Sequence, residues 1–305
     1  MIQNFDSLFD LMEAFSDEQA CMDHLQAIRW RDGEFCPHCG CNRIYHFSDH
    51  KTFKCGDCRE RFSIKVGTIF QDTKLPLRKW FMAIWLITNH PKGIASVTLA
   101  KDLKITQKSA WFMLHRLRHA ARTSSFNAPL KGDIEADTTF VGGKEKNKHA
   151  DRRTPGSQGG ANKAFVLGIV ERGGELRTEH VADAKAKTLQ GSIRRNVAKW
   201  SAILTDEDRS FIGLDDDYNH LAVNHSKGEY VRLGGFVHTN SIESVWALLK
   251  RRIIGVHHWV SDKHLNRYVS EMTWRFNRRD MKVTGRMNNL FGCVEGRLKY
   301  SELIA

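Results

Sequence analysis

Four cysteines and three acids in this 305-residue chain have the types and spacing to do chemistry. The cysteines form two C-x-x-C pairs, Cys36 and Cys39 in "CPHC" and Cys55 and Cys58 in "CGDC", with fifteen residues between the pairs. Each C-x-x-C turn offers two thiolates to one point, and two such turns close a tetrahedron around zinc. This predicts a zinc ribbon whose metal is structural, because no coordination position stays open. A redox dithiol or a pair of disulfides is the competing reading, which a reducing compartment disfavours. Cys41, Cys21 and Cys293 are read as non-ligands.

The acids are Asp137 in "GDIEADTTFVGG", Asp206 just after "AILT", and Glu243 in "HTNSIESVWALLKRR". Singly, each reads as a turn former, a cap or a solvated charge. Brought onto one sheet, they would offer hard oxygen ligands suited to magnesium or manganese. Two such ions about 4 Å apart can activate an attacking oxygen and stabilise a leaving one during in-line phosphoryl displacement. Lys250 lies two helical turns beyond Glu243, and Asn240 lies three residues before it.

The elements that must position these groups follow from periodicity. Ile242, Val245, Trp246, Leu249 and Ile253 recur at helical spacing, so this segment is an amphipathic helix with Glu243 and Lys250 beside its apolar stripe. Before it come three strand-like stretches, "GDIEADTTFVGG", "KAFVLGIVERGG" and "ELRTEHVADA". Then come a helix, "KAKTLQGSIRRNVA", and a short apolar strand, "SAILTDED". That order predicts a mixed α/β sheet covered by helices over residues 130–290, with a tail at 291–305. The segment 144–163, basic and glycine-rich, is expected to be a mobile loop able to follow a phosphate backbone.

Upstream, residues 1–30 read as two short helices, the second opened by a capping box of Ser16 and Gln19. The ribbon spans 31–68, with strands near "RIYHF" and "KTFKC". Residues 76–122 are helical, and "GIASVTLAKDLKITQKSAWFMLHRLRHA" reads as helix, tight turn, helix. Ala95, Leu99 and Leu103 face inward on the first helix, and Ala110, Leu114 and Leu117 on the second. A helix-turn-helix of this kind would set Lys108, His115, Arg116 and Arg118 toward a major groove, although a plain helical hairpin gives the same pattern. The segment "RYVSEMTWRFNRRD" reads as a basic amphipathic helix with Trp274 and Phe276 in the core.

Composition fits a nucleic-acid partner. Lys plus Arg number 47 against 35 Asp plus Glu, and the pI is about 9.4. The longest apolar run, Trp80 to Ile87, is far shorter than the roughly 20 residues of a membrane span. The N-terminus is acidic and amphipathic, without the basic start of a secretory signal, so a cytoplasmic location is expected.

Several phrases together resemble one family: "IRWRDGEFCPHCG", "IEADTTFVGGKEKNKHA", "AKAKTLQ", "LTDEDRSF", "VNHSKGEYVR" and "HTNSIESVWALLKR". They are similar to the DDE transposases of bacterial insertion sequences that carry an N-terminal zinc ribbon, and the likeness runs from about Gln26 to Arg279. It implies a ribonuclease-H-like catalytic domain. It also implies that Asp137, Asp206 and Glu243 are the catalytic, magnesium-binding acids, with Asn240 as another holder of the third position. Lys250, with Arg251 beside it, would contact DNA near the reacting phosphate. One departure is visible: the family's first motif reads Asp-Glu-Thr, and here Thr138 follows Asp137. An acid there would either tune the site or bind metal, and in the second case its loss weakens this copy. His238 is read as a support for the site, a DNA contact or a structural histidine.

The expected activity is metal-dependent cleavage of double-stranded DNA at element ends and joining of a 3′ hydroxyl to target DNA, by a homo-oligomer on DNA. A nuclease or resolvase on the same fold would cut without joining. A non-catalytic DNA-binding derivative would keep the ribbon and helices alone.

Overall fold

The computed structural model describes residues 5–122, 128–143, 149–153 and 163–305. Most of the basic segment 144–163 therefore lies outside the described residues. Along the chain run α1 (Leu8–Ala14), α2 (Glu18–Arg29), β1 (Ile44–His46), β2 (Phe53–Cys55), β3 (Arg61–Phe62), α3 (Leu77–Asn89), α4 (Ser96–Asp102) and α5 (Gln107–Ala120). There follow β4 (Asp133–Val141), β5 (Ala164–Glu171), β6 (Leu176–Val181), α6 (Ala186–Asn196), β7 (Ala202–Thr205) and β8 (Asn219–Ala222). The chain closes with α7 (Asn240–Arg252), α8 (Asp262–Phe276), α9 (Val283–Phe291) and α10 (Tyr300–Ile304).

The chain forms two compact units. One combines Met1–Arg122 with Asp280–Ala305, and the other is Thr123–Arg279. The expected single stretch 130–290 followed by a tail is corrected at its far end. Helices α9 and α10 belong with the N-terminal helices because their apolar faces complete that core. Phe291 packs its ring 4.4 Å from Phe81, and His24 lies 5.5 Å from Phe291. His24 is itself buried there, and its Nε2 faces the Asn288 side-chain oxygen at 3.0 Å.

Local signals explain three helix starts in this unit. Ser7 and Asp10 form a reciprocal capping box on α1. For α2 the cap is Asp17, whose carboxylate accepts from the Ala20 amide at 2.8 Å, and not the expected Ser16. Gln19 instead donates to Asp23 at 2.7 Å. Thr106 caps α5 by accepting from the Ser109 amide. Lys104, in the turn before it, takes a left-handed φ of 48°.

The second unit is built on a five-stranded sheet of order β6-β5-β4-β7-β8. β4, β5 and β6 form an antiparallel meander, while β7 joins β4 and β8 joins β7 in parallel. This is the ribonuclease-H-like mixed sheet, with β8 as the strand that sequence periodicity did not predict. "NHLA" carries no apolar alternation, and pairing with β7 fixes its extended form. Alternation along the strands separates two faces. On one side Ile134, Ala136, Leu167, Ile169 and Ile203 pack on Leu189 and Ile193 of α6. On the other, Val166 and Val170 pack on Ile242, Val245, Trp246 and Leu249 of α7 and on α8. Each of these buried Val, Leu and Ile side chains contributes about 1.5–3 kcal/mol of transfer free energy. Trp274 is 2% exposed, in the core as expected.

Candidate catalytic centre and zinc site

The cysteine quartet comes together as its spacing predicts. The sulfurs of Cys36, Cys39, Cys55 and Cys58 all lie within 4.8 Å of one another. Cys36 and Cys58 are 3.7 Å apart, and Cys39 and Cys55 are 3.5 Å apart. A zinc–thiolate tetrahedron with bonds of about 2.3 Å has sulfur–sulfur edges of about 3.8 Å, so these distances fit a single zinc ion. The turns add backbone donors: the amides of His38 and Asp57 point at Cys36 and Cys55, each at 3.4 Å. Cys41 stays outside the quartet, and its sulfur accepts from the Arg43 amide.

The acids converge by sheet register. The last parallel pair of β4 and β7 is Glu135 with Leu204, so two residues further on Asp137 stands beside Asp206. Burial raises the Asp137 carboxyl to about 6, and the nearby Asp206 charge pushes the same way, with a smaller push from Glu243. Burial likewise raises Asp206. Both Asp137 oxygens are held: Oδ1 accepts from the Thr138 amide at 2.7 Å, and Oδ2 from the Trp246 indole N–H at 2.9 Å.

Glu243 projects from the first turn of α7, with its side chain 51% exposed. The Thr239 hydroxyl donates to its Oε1 at 2.8 Å, and His225 Nε2 lies 3.8 Å from the same oxygen. The three carboxylates are not drawn into one tight cluster; among the described residues only the cysteines form a metal-sized group. Asn240 is exposed as the first residue of α7, and the cap position belongs to Thr239. Lys250 and Arg251 are exposed in the last turn of α7. Thr138 is paired with Leu167, which packs on the α6 side. Strand alternation therefore sets Thr138 on the face opposite Asp137, away from the acids.

Two further groups shape this centre. Gly168 lies directly across from Asp137, and a Cβ there would come within 2.5 Å of Trp246 and 2.7 Å of Ile242. The missing side chain lets the indole lie against the sheet and reach Asp137. Glu135 is completely buried at 0% exposure. It accepts from the amides of Ser241 and Ile242 at 2.8 and 3.0 Å, from the Ser241 hydroxyl at 3.0 Å, and from Arg172 Nε at 2.7 Å. Arg172 also donates to the carbonyls of Phe236 and His238 and to His238 Nδ1. His238 Nδ1 also lies 3.3 Å from Glu135 Oε1, so the imidazole is part of the same network of Glu135 and Arg172. In the sequence the signals were "E-x-D", two acids one strand repeat apart, and a lone glycine within "FVLGIVE".

The helical hairpin corrects part of the expected DNA surface. His115, Arg116 and Arg118 are buried, at 0%, 6% and 1% exposure. Arg116 donates to the carbonyls of Ile69 and Gln71 at 2.9 and 3.1 Å and stacks over Phe112. Beyond its first turn α5 is packed on nearly all sides, so these cations hold the fold and do not face a groove. Lys108 stays exposed in the first turn, with its ammonium 4.9 Å from the centre of the Tyr300 ring.

The mixed sheet together with the cysteine-quartet ribbon puts this chain among the zinc-ribbon transposases, whose family models it matches. Residues 129–277 match the ISXO2-like transposase domain, and residues 16–61 match the transposase zinc-ribbon domain. A protein in transposable element ISH50 of Halobacterium salinarum is 30% identical over 278 residues, covering 85% of this chain and 90% of that protein. A transposase-like protein of Haemophilus influenzae is 29% identical over 109 residues, covering 35% of this chain and 85% of its own length. The chain also shows a distant likeness, at 11% identity and a TM-score of 0.25, to a pre-cleavage Mos1 transpososome, covering 68% of this chain and 76% of that one. The chain belongs to the ISXO2-like transposase family. Among the described residues no helix is long and apolar enough to cross a membrane.

Proposed function

We propose that this transposase cuts DNA at the ends of its element and joins the freed 3′ hydroxyl to target DNA, with Asp137, Asp206 and Glu243 as the catalytic acids. The supporting observation is the register of parallel strands β4 and β7, which sets Asp137 beside Asp206 just past the end of β7, where burial raises both carboxyls. Two carboxyls raised by burial, with the Asp206 charge adding to the rise at Asp137, form a site short of positive charge, and their hard oxygens suit magnesium or manganese. Bound there by Asp137, Asp206 and Glu243, such ions would supply charge neutralisation at the attacking and leaving oxygens.

The protein's own groups set the frame. Trp246 and the Thr138 amide hold the Asp137 carboxylate in one orientation while leaving lone pairs on both oxygens. Thr239 orients Glu243. Lys250, exposed two turns further along α7, is placed to pair with a DNA phosphate, and Arg251 beside it adds to that charge. Lys108 at the exposed start of α5 contributes to end binding in the N-terminal unit. The protein acts as a homo-oligomer, since two element ends must be processed together, and works in the cytoplasm, where the element's DNA is accessible.

The test is a strand-transfer assay with labelled duplex carrying the element's end, a target plasmid and magnesium. The expected result is nicked ends and covalently joined product, both lost in Asp137→Asn. Cutting without joined product would instead establish a nuclease. End binding with neither step would establish a non-catalytic derivative.

A further inference from the structure

We infer that Glu135 is a positioning residue for the reaction: it locks the start of α7 to β4 and so sets where Glu243 stands relative to Asp137. The inference rests on Asp137, Asp206 and Glu243 being the catalytic acids. A helix start leaves four amides without intrahelical partners, and the residue just before the helix ordinarily supplies a cap. In α7 that residue is Thr239, and its hydroxyl is turned to Glu243 instead. The amides of Ser241 and Ile242 go to Glu135, 106 and 107 residues away in sequence. A local serine or aspartate could cap the helix without taking a charge out of water, so the remote carboxylate does something a local cap cannot. It ties the helix to the strand that carries Asp137.

The geometry makes that tie short. Glu135 and Asp137 are one strand repeat apart, roughly 7 Å, on the same face. Ser241 and Glu243 are two residues apart in the first turn, a rise of about 3 Å. Arg172 extends the lock by balancing the Glu135 charge and gripping the carbonyls of Phe236 and His238, which lead into α7. Four segments thus meet at one buried carboxylate: β4, the end of β5, the lead-in to α7, and α7 itself.

The experiment compares full-length parent with Glu135→Gln and with the double variant Glu135→Gln/Arg172→Met, which removes both charges and keeps the fold accessible if the single change leaves Arg172 unbalanced. Cleavage of labelled end duplex in magnesium should fall about 10- to 100-fold in both. Manganese titrated onto the full chain and followed by electron paramagnetic resonance should bind more weakly. Resistance of residues 123–279 to proteolysis and the near-ultraviolet circular dichroism should show a folded second unit, which separates positioning from loss of fold in the unit that holds Glu135. Cleavage and manganese affinity within about twofold of the parent in a folded variant would overturn the inference. Asp137→Asn is run alongside: a dead Asp137→Asn chain beside fully active Glu135 variants sinks the positioning role alone, whereas an active Asp137→Asn chain sinks the reading of the acids, and this inference with it.

Discussion

Replacing Glu243 by glutamine keeps the shape of the side chain and removes its charge, which two divalent cations would feel far more than an amide dipole. Glu243→Gln should therefore abolish cutting and joining while end binding persists. Asn240→Ala, at an exposed helix start beside the site, should cost about tenfold to a hundredfold. Near-normal turnover in the first variant and none in the second, in the same strand-transfer assay, would move the third role to Asn240. Asp137 offers a test in stability. Its carboxyl is raised from 3.8 to about 6, so the magnesium-free fold is stabilised by its proton at low pH and loses that support as the pH rises through about 6. Asp137→Asn should thus melt higher than the parent at pH 7 without magnesium, by about 1–3 kcal/mol, in buffer that retains zinc. At pH 4 the gap should close, and equal melting at both values would contradict the shift. The candidate acids could be picked out because each sits on, or just after, an element with a clear apolar period. Trp246, Gly168 and Glu135 were not, because a tryptophan on an apolar stripe, a glycine in a strand and an acid in a strand each have a commoner reading. Only the register that sets Gly168 across from Asp137 reveals their joint effect.

At the scale of elements, the ribbon and the helical hairpin behaved differently under sequence reasoning. Cysteine spacing is dictated by tetrahedral geometry, so the quartet could be predicted directly. The orientation of α5 could not, because "WFMLHRLRHA" alternates cations with apolar residues and nothing in it says which packs inside. Burial of Arg116 turns a proposed DNA contact into a fold contact. Arg116→Met should cost about 1–3 kcal/mol, since the buried Ile69 carbonyl and the half-buried Gln71 carbonyl lose their donor, and should leave end affinity unchanged in the folded fraction. Lys108→Ala should do the reverse, with intact melting and weaker binding in a titration of labelled ends. If Arg116→Met melts like the parent, the donated bonds are not what holds α5. For the ribbon, Cys55→Ser should lower bound zinc below one ion per chain and unfold residues 31–68, as read by metal analysis and proteolysis.

At the scale of the molecule, the cation surplus behind the net charge of +12 predicts phosphate contacts, so DNA affinity should fall steeply with salt. The N-terminal unit should bind element ends selectively, and Thr123–Arg279 alone should bind weakly and without sequence preference. The fragment for that comparison is set by chain topology. Truncation after Arg122 strips away Phe291 and the rest of α9, leaving Phe81 and His24 uncovered. Such a fragment should aggregate or melt early, whereas a chain with 123–279 replaced by a flexible linker should fold, hold zinc and bind ends. Equal, selective end binding by the two halves would refute the division. The return of Asp280–Ala305 to the first unit also bears on synthesis. The ribosome makes the part of that unit before residue 123 ahead of the second unit and the part from Asp280 after it, so the first core stays unfinished until the whole five-stranded sheet has emerged. A polypeptide stopped before Asp280 would then carry Asp137, Asp206 and Glu243 on a finished sheet and still lack a complete first unit, so under the proposed function it should compete poorly for element ends.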